Sequence, residues 1–106
     1  IKSGTRGIAG FAFNECDSLT SVTIPNSVIS IGNSAFYKCG SLMSLTIPSS
    51  VTSIGWFAFE YCNSLTSVAF NGTIAQWKAV EKGSSWRYGV KATVIKCSDG
   101  DVSIDD

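Results

Sequence analysis

The sequence predicts an α/β, β-rich chain wound as a right-handed solenoid. It has 23-residue turns on a parallel β-sheet and a helix plus β-hairpin cap at the C-terminal end. Three observations predict this. Phe13, Phe36 and Phe59 fall in register at a period of 23, as do Cys16, Cys39 and Cys62, and Leu19, Leu42 and Leu65. Residues 8–30 and 31–53 are identical at 13 of 23 positions. After Phe70 the ladder stops, and helix and hairpin signals replace it. A fixed period of about 20–29 residues marks stacked units, none of which can bury its apolar side alone.

The elements follow in chain order. Ile1 matches Ile24 one period on, so residues 1–7 read as the end of an unfinished turn. The expectation is that further repeats precede it, or that this uncapped N-terminal turn self-associates end to end. Three repeats then occupy 8–76. In each, a stretch such as Leu19–Ile24 alternates apolar Val22 and Ile24 with polar Ser21 and Thr23, the pattern of a half-buried strand. Pro25 and Pro48 suit strand ends because they lack an N–H. In the rest of the unit, Ile31, Ala35, Phe36 and Cys39 are spaced as on one short helix or 3₁₀ turn. Stacking the units superimposes Phe13, Phe36 and Phe59 as an aromatic spine.

Residues 77–106 are expected to form the cap, entered by a helix. Asn71-Gly72 makes a turn, and Thr73-x-x-Gln76 is a capping box that starts the helix. Ile74, Trp77 and Val80 form its apolar stripe, with Gly83 as the C-terminal stop. Trp86 and Tyr88 fall in a loop. Ala92–Lys96 alternates as a strand, Asp99-Gly100 is a hairpin signal, and Val102–Ile104 is the return strand. Trp77, Val80, Val94 and Trp86 are the residues expected to cover the last turn of the core.

Composition limits the function classes. Apolar residues make up 44% and charged residues 15%, which opposes disorder. Eight basic residues balance eight acidic ones, so the chain lacks the positive footprint of nucleic-acid binding. It contains no histidine, which removes Ser-His and Cys-His catalysis and His metal ligands. No apolar run approaches the ~18 residues of a membrane span. No nucleophile is paired with a base, so no catalytic residue, cofactor site or metal site is assigned, and the chain is not expected to be an enzyme.

At Leu42–Cys62, LMSLTIPSSVTSIGWFAFEYC, the sequence resembles the BspA-like (Treponema pallidum-type) leucine-rich-repeat family. The C-terminal FNGTIAQWKAVEKGSSW and VIKCSDGD resemble segments that close such arrays. The resemblance implies a leucine-rich-repeat solenoid from a cell-surface or secreted protein that binds other proteins. In the general pattern, Asn or Cys stands two residues after the proline site. Ser27, Ser50 and Thr73 stand there instead, so the corner is expected to rely partly on backbone or water.

Candidate sites follow from the repeats. The exposed strand face, Thr20, Ser21, Thr23, Met43, Ser44, Thr46, Thr66 and Ser67, is the candidate protein-binding surface. Its bland alternative is a solvated sheet face. Trp56, Phe57 and Tyr61 depart from the repeat and form a candidate aromatic patch. The alternative for Trp56 and Phe57 is packing against the helix that bears Trp77. The cysteines read as free packing thiols, with a Cys62–Cys97 pair left open. Asp99, Asp101, Asp105 and Asp106 lack calcium-loop spacing, and turn chemistry accounts for Asp99-Gly100. Asn71-Gly72-Thr73 also matches a glycosylation sequon. The expected function is a protein-interaction or adhesion module of a larger protein, with a host surface or extracellular-matrix protein as partner. The alternative is a structural spacer or capping module with no ligand.

Overall fold

A computed structural model describes residues 1–105. The chain winds through about four turns, and each turn adds one strand to each of two sheets. The longer strands are β2 (Ser21–Thr23), β4 (Ser44–Ile47), β6 (Ser67–Phe70), β8 (Val94–Cys97) and β9 (Gly100–Ser103). They form a five-stranded sheet in the order β2-β4-β6-β8-β9, parallel except for the β8–β9 hairpin. A second parallel sheet joins two-residue strands β1 (Gly7–Ile8), β3 (Ser30–Ile31), β5 (Ser53–Ile54) and β7 (Glu81–Lys82). The strand register is the sequence period itself: Ser21 faces Ser44, Ser44 faces Ser67, and Ile31 faces Ile54.

The segment expected to be a short helix is a chain of β-turns. Its apolar spacing is helical, but its hydrogen bonds alternate between two destinations. Ala35, Tyr37 and Cys39 N–H groups donate three residues back, to Gly32, Ser34 and Phe36. The intervening Ser34, Phe36 and Lys38 N–H groups donate across to Trp56, Ala58 and Glu60 of the next turn. Left-handed residues at Ser34 (φ 56°) and Lys38 (φ 59°) reverse the curl before a helix can propagate. The same pair recurs at Phe11 and Glu15, and at Phe57 and Tyr61. Half of the donors in this segment thus join neighbouring turns, as they would in a sheet.

The interior is a set of columns. Phe13, Phe36 and Phe59 stack nearly parallel, with ring centroids 5.1 and 5.0 Å apart. Cys39 and Cys62 are fully buried, and each thiol donates to a carbonyl of the previous turn, Phe13 O at 3.0 Å and Phe36 O at 3.1 Å. All four cysteines are free; Cys97 lies at the end of β8, outside the column. Gly32, Gly55 and Gly83 stand where turns approach closest. A Cβ on Gly55 would lie 2.6 Å from the backbone nitrogen of Asn33, and one on Gly32 2.5 Å from that of Gly10. At the first corner the Ser27 hydroxyl does more than expected. It accepts from Gly4 N–H (3.1 Å) and donates to Thr5 O (2.7 Å), spanning two turns by itself.

Helix α1 (Ile74–Ala79) begins as expected, with Thr73 and Gln76 in a reciprocal capping box. Asp99 adds a second cap by accepting from Ile74 N–H at 2.9 Å. The helix ends at Val80, not Gly83. Gly83 instead repeats Gly55, because the winding resumes after the helix. Phe57, Phe59 and Tyr61 N–H groups donate to Ser84, Trp86 and Tyr88, as earlier turns do to theirs. Ser85 and Gly89 have positive φ at the places of Phe57 and Tyr61. Trp86 and Tyr88 therefore belong to a fourth turn within the segment expected to be cap.

The core closes on tryptophans. Trp77 is fully buried, 5.3 Å from the Phe70 ring and 5.7 Å from that of Trp86. Trp86 meets Phe59 edge-on at 6.3 Å and ends the spine. Val80 is buried as expected, but Val94 is not: it is exposed, and Ile95 takes the inward place. Pairing of Ile95 with Val68 sets that register, and a one-residue shift reverses every side chain. Lys82 occupies the column of Ile31 and Ile54. Its ammonium donates to Trp77 O (3.1 Å) and Val80 O (3.0 Å), capping the end of α1, and lies 4.5 Å from the Trp77 ring centroid.

Two outcomes are expected from this packing. Trp77→Ala empties a fully buried site and should lose about 3–5 kcal/mol in urea unfolding; a loss below about 1 kcal/mol would remove Trp77 from the closing core. At exposed Glu15 (φ 57°), Glu15→Val should be less stable than Glu15→Gly by about 1–2 kcal/mol, because a branched side chain resists the left-handed region. Equal stability of the two would mean that Glu15 does not hold that conformation in solution.

Candidate functional site

The strand face is built by register. Outer residues of successive strands form three columns: Thr20, Met43 and Thr66; Ser21, Ser44 and Ser67; and Thr23, Thr46 and Ala69. All eight predicted residues of this face are exposed, and Met43 stands out at 57%. Backbone bonds hold the first column in line, from Met43 N–H to Thr20 O (2.9 Å) and from Thr66 N–H to Met43 O (3.1 Å). No charged side chain interrupts β2, β4 or β6. The columns continue onto the hairpin, where Val94 follows Ser67 and Lys96 faces Asp101. The sheet thus passes from a neutral hydroxyl surface to a charged border strand. Charge on an edge strand opposes pairing with another chain.

The predicted aromatic patch divides between two surfaces. Tyr61 lies in a tyrosine row, with its ring 5.9 Å from Tyr37 and 5.7 Å from Tyr88. The Lys38 ammonium sits 5.4 Å from the Tyr37 centroid and 6.0 Å from that of Tyr61. Trp56 instead lines a shallow groove of about 630 Å³ over the two-residue strands, with Phe11, Asn33 and Glu81 among its neighbours. Trp56 and Phe57 are 58% and 39% exposed. The rings that pair with Trp77 are those of Phe70 and Trp86. Tyr88 was missed as a partner of Tyr61. Its place in the row becomes readable only when Gly83 is aligned with Gly55, a spacing of 28 rather than 23.

The thiols show what the interior does to chemistry. Burial raises the Cys97 thiol above its ordinary value, and the Asp99 and Asp101 carboxylates add to the effect. Burial likewise raises Cys16, with Cys39 and Asp17 contributing. Contact with Cys39 and burial hold Cys62 protonated. Cys39 runs the other way, drawn down to about 7 by its contact with Cys62, but full burial shields it from solvent, so the column reads as packing thiols and not as an exposed nucleophile. Among the described residues, no group of three or more His, Cys, Asp or Glu side chains is placed to hold a metal ion. No helix there is long and apolar enough to cross a membrane.

The repeat signature also appears in comparison with known proteins. The family model described as BspA type leucine rich repeat region matches residues 1–80, in six copies. The chain belongs to the BspA-type leucine-rich-repeat family. A crystal structure of a leucine rich cell surface protein from Faecalibacterium prausnitzii A2-165 resembles it with a TM-score of 0.69 and 36% identity. The likeness covers 71% of this chain and 20% of that one, so the matched part spans a fifth of that chain's length. No curated protein matches the chain. The BspA-type repeat explains why departures from the period, such as Trp56 and Tyr61, stand on the outside: the inward columns leave no freedom.

Alkylation with iodoacetamide should separate the four thiols. Cys39 and Cys62 should stay unmodified until the protein unfolds, whereas half-buried Cys16 and Cys97 react slowly. A raised pKa means less thiolate at a given pH. The Cys97 rate should therefore lie below that of free cysteine at pH ~8 and keep climbing beyond pH ~9. Peptide mass spectrometry would show a rate above that of free cysteine if this reading were wrong.

Proposed function

We propose that this chain is a non-enzymatic, adhesive protein-interaction module within a larger cell-surface or secreted protein. In this reading it engages a host surface or extracellular-matrix protein through the outer face of the five-stranded sheet. The observation that carries the reading is the in-register column structure of that face. Ser21, Ser44 and Ser67, with Thr23 and Thr46, give a flat, uncharged surface around the exposed Met43. A flat face suits a protein partner, whose interface needs area more than depth. The strand-face hydroxyls are exposed, and the chain has no histidine to activate them. The cell-surface description of the Faecalibacterium relative supports the proposed location.

The tyrosine row offers a second contact surface. Tyr37, Tyr61 and Tyr88 supply amphipathic area at low entropic cost, as binding surfaces often do. Binding to immobilised extracellular-matrix proteins, followed by biolayer interferometry, tests the proposal. Wild type should bind saturably. Ser44→Lys with Thr46→Lys should weaken binding at least about tenfold with the fold intact by circular dichroism. Tyr37→Ala with Tyr88→Ala should weaken it less. The reverse order would move the interface to the tyrosine row. No binding by wild type would favour a structural spacer that presents another domain.

A further inference from the structure

We propose that the groove over β1, β3, β5 and β7 binds neutral oligosaccharides, with Trp56 and Phe11 as its two stacking platforms. Trp56 is held rigidly. Its backbone N–H donates to Asn33 Oδ1 at 2.9 Å, and its indole lies over Gly83, where a Cβ would come within 2.5 Å of Trp56 Cδ1. With Cδ1 against the glycine, Trp56 is still 58% exposed. Phe11 is 64% exposed, and its N–H is tied to Asn33 O at 3.0 Å. Trp56 and Phe11 lie two turns apart, a separation on the order of 10 Å at parallel-strand spacing, the span of a disaccharide.

The polar groups between the platforms suit sugar hydroxyls. Asn33 has its carboxamide oxygen committed to Trp56, which leaves its NH₂ as a donor. Ser30 and Ser53 line the same groove in register, and Glu81 continues their column with a carboxylate acceptor. The Lys82 ammonium is directed onto Trp77 O and Val80 O, so its charge faces α1. The exposed Glu81 carboxylate then sets the sign of the lining, which disfavours an anionic ligand. A peptide finds little either. The floor is glycine backbone already bonded between turns, which excludes strand addition and offers no deep side-chain pocket. A pyranose has an apolar C–H face for the rings and a rim of hydroxyls for the polar strip.

Trp77 and Trp86 are buried, so ligand-dependent tryptophan emission reports on Trp56. The full chain would be titrated with cellotetraose, maltotetraose and chitotetraose, following emission and backbone amide shifts. At least one should produce a saturable change, with amide shifts confined to Ser30, Asn33, Ser53 and Trp56. Trp56→Ala, followed by amide shifts, should weaken it about tenfold, and Phe11→Ala several-fold. Ser44→Lys with Thr46→Lys should leave it unchanged, so this site and the strand face stand or fall separately. The proposal is overturned if none of the three sugars gives a saturable response. It is also overturned if binding survives Trp56→Ala, or if tetra-arginine peptide occupies the groove more tightly than any of them.

Discussion

Interior side chains are packed largely on the residue that holds the same place in the neighbouring turn. Ring centroids of Phe13, Phe36 and Phe59 are 5.1 and 5.0 Å apart, close to the distance between adjacent strands. At that spacing, like must fit on like. A planar ring stacks on its copy, a thiol reaches the carbonyl beneath it, and a glycine admits the backbone before it. A larger residue at Gly55 has nowhere to go, because Asn33 is already in contact. The repeat in the sequence is thus the imprint of a one-dimensional packing problem solved once and reused.

Such a stack exposes apolar surface wherever it ends, and the C-terminal end shows how the problem is met. Helix α1 is inserted between the third and fourth turns, and its Trp77 fills the space beyond Phe70. The fourth turn then repeats the backbone path with different side chains. Trp86 stands where Ala58 stood and crosses the spine edge-on, which breaks the stacking geometry. Lys82 replaces an isoleucine and turns its charge back onto the helix carbonyls. The backbone ladder therefore outlasts the side-chain ladder by one turn. The β8–β9 hairpin follows, with Lys96 and Asp101 on the outer strands.

How much of this was legible in the sequence depended on what kind of force set each feature. Columns set by side-chain contact were readable: the Phe, Cys and Leu series, the Thr73–Gln76 capping box and the hairpin at Asp99-Gly100 all appear in place. Features set by backbone bonds between turns were not. Ile31, Ala35, Phe36 and Cys39 have helical spacing, and nothing in their identities reveals that Ser34 and Lys38 adopt positive φ. The second sheet is equally silent, because two-residue strands leave no alternation to detect. Val94 and Ile95 are both good strand residues, so only pairing with Val68 decides which faces inward. The fourth turn was hidden by the helix, which shifts Gly83 to 28 residues after Gly55. At the candidate surfaces the outward direction of the eight strand-face residues was legible from the alternation. The separation of Trp56 from Tyr61 was not, because closeness in sequence says little about which side of a turn a residue leaves from.

The left-handed residues bear on where function can sit. A side chain there costs roughly 1–2 kcal/mol relative to an unstrained conformation. The cost recurs at Phe11, Glu15, Ser34, Lys38, Phe57, Tyr61 and Ser85, whatever the residue, and glycine relieves it only at Gly89. The strain therefore belongs to the winding and is not a mark of a site. Residue identity at these positions is a separate matter. Phe11, Phe57 and Tyr61 are exposed, so burial does not require an aromatic ring there, and Glu15 and Lys38 show that charged residues serve the same turn equally well. The winding constrains the backbone at these points and, except at buried Ser34, leaves the side chain outside. Aromatic rings at constrained points are pre-oriented, and less entropy is lost when a ligand settles on them.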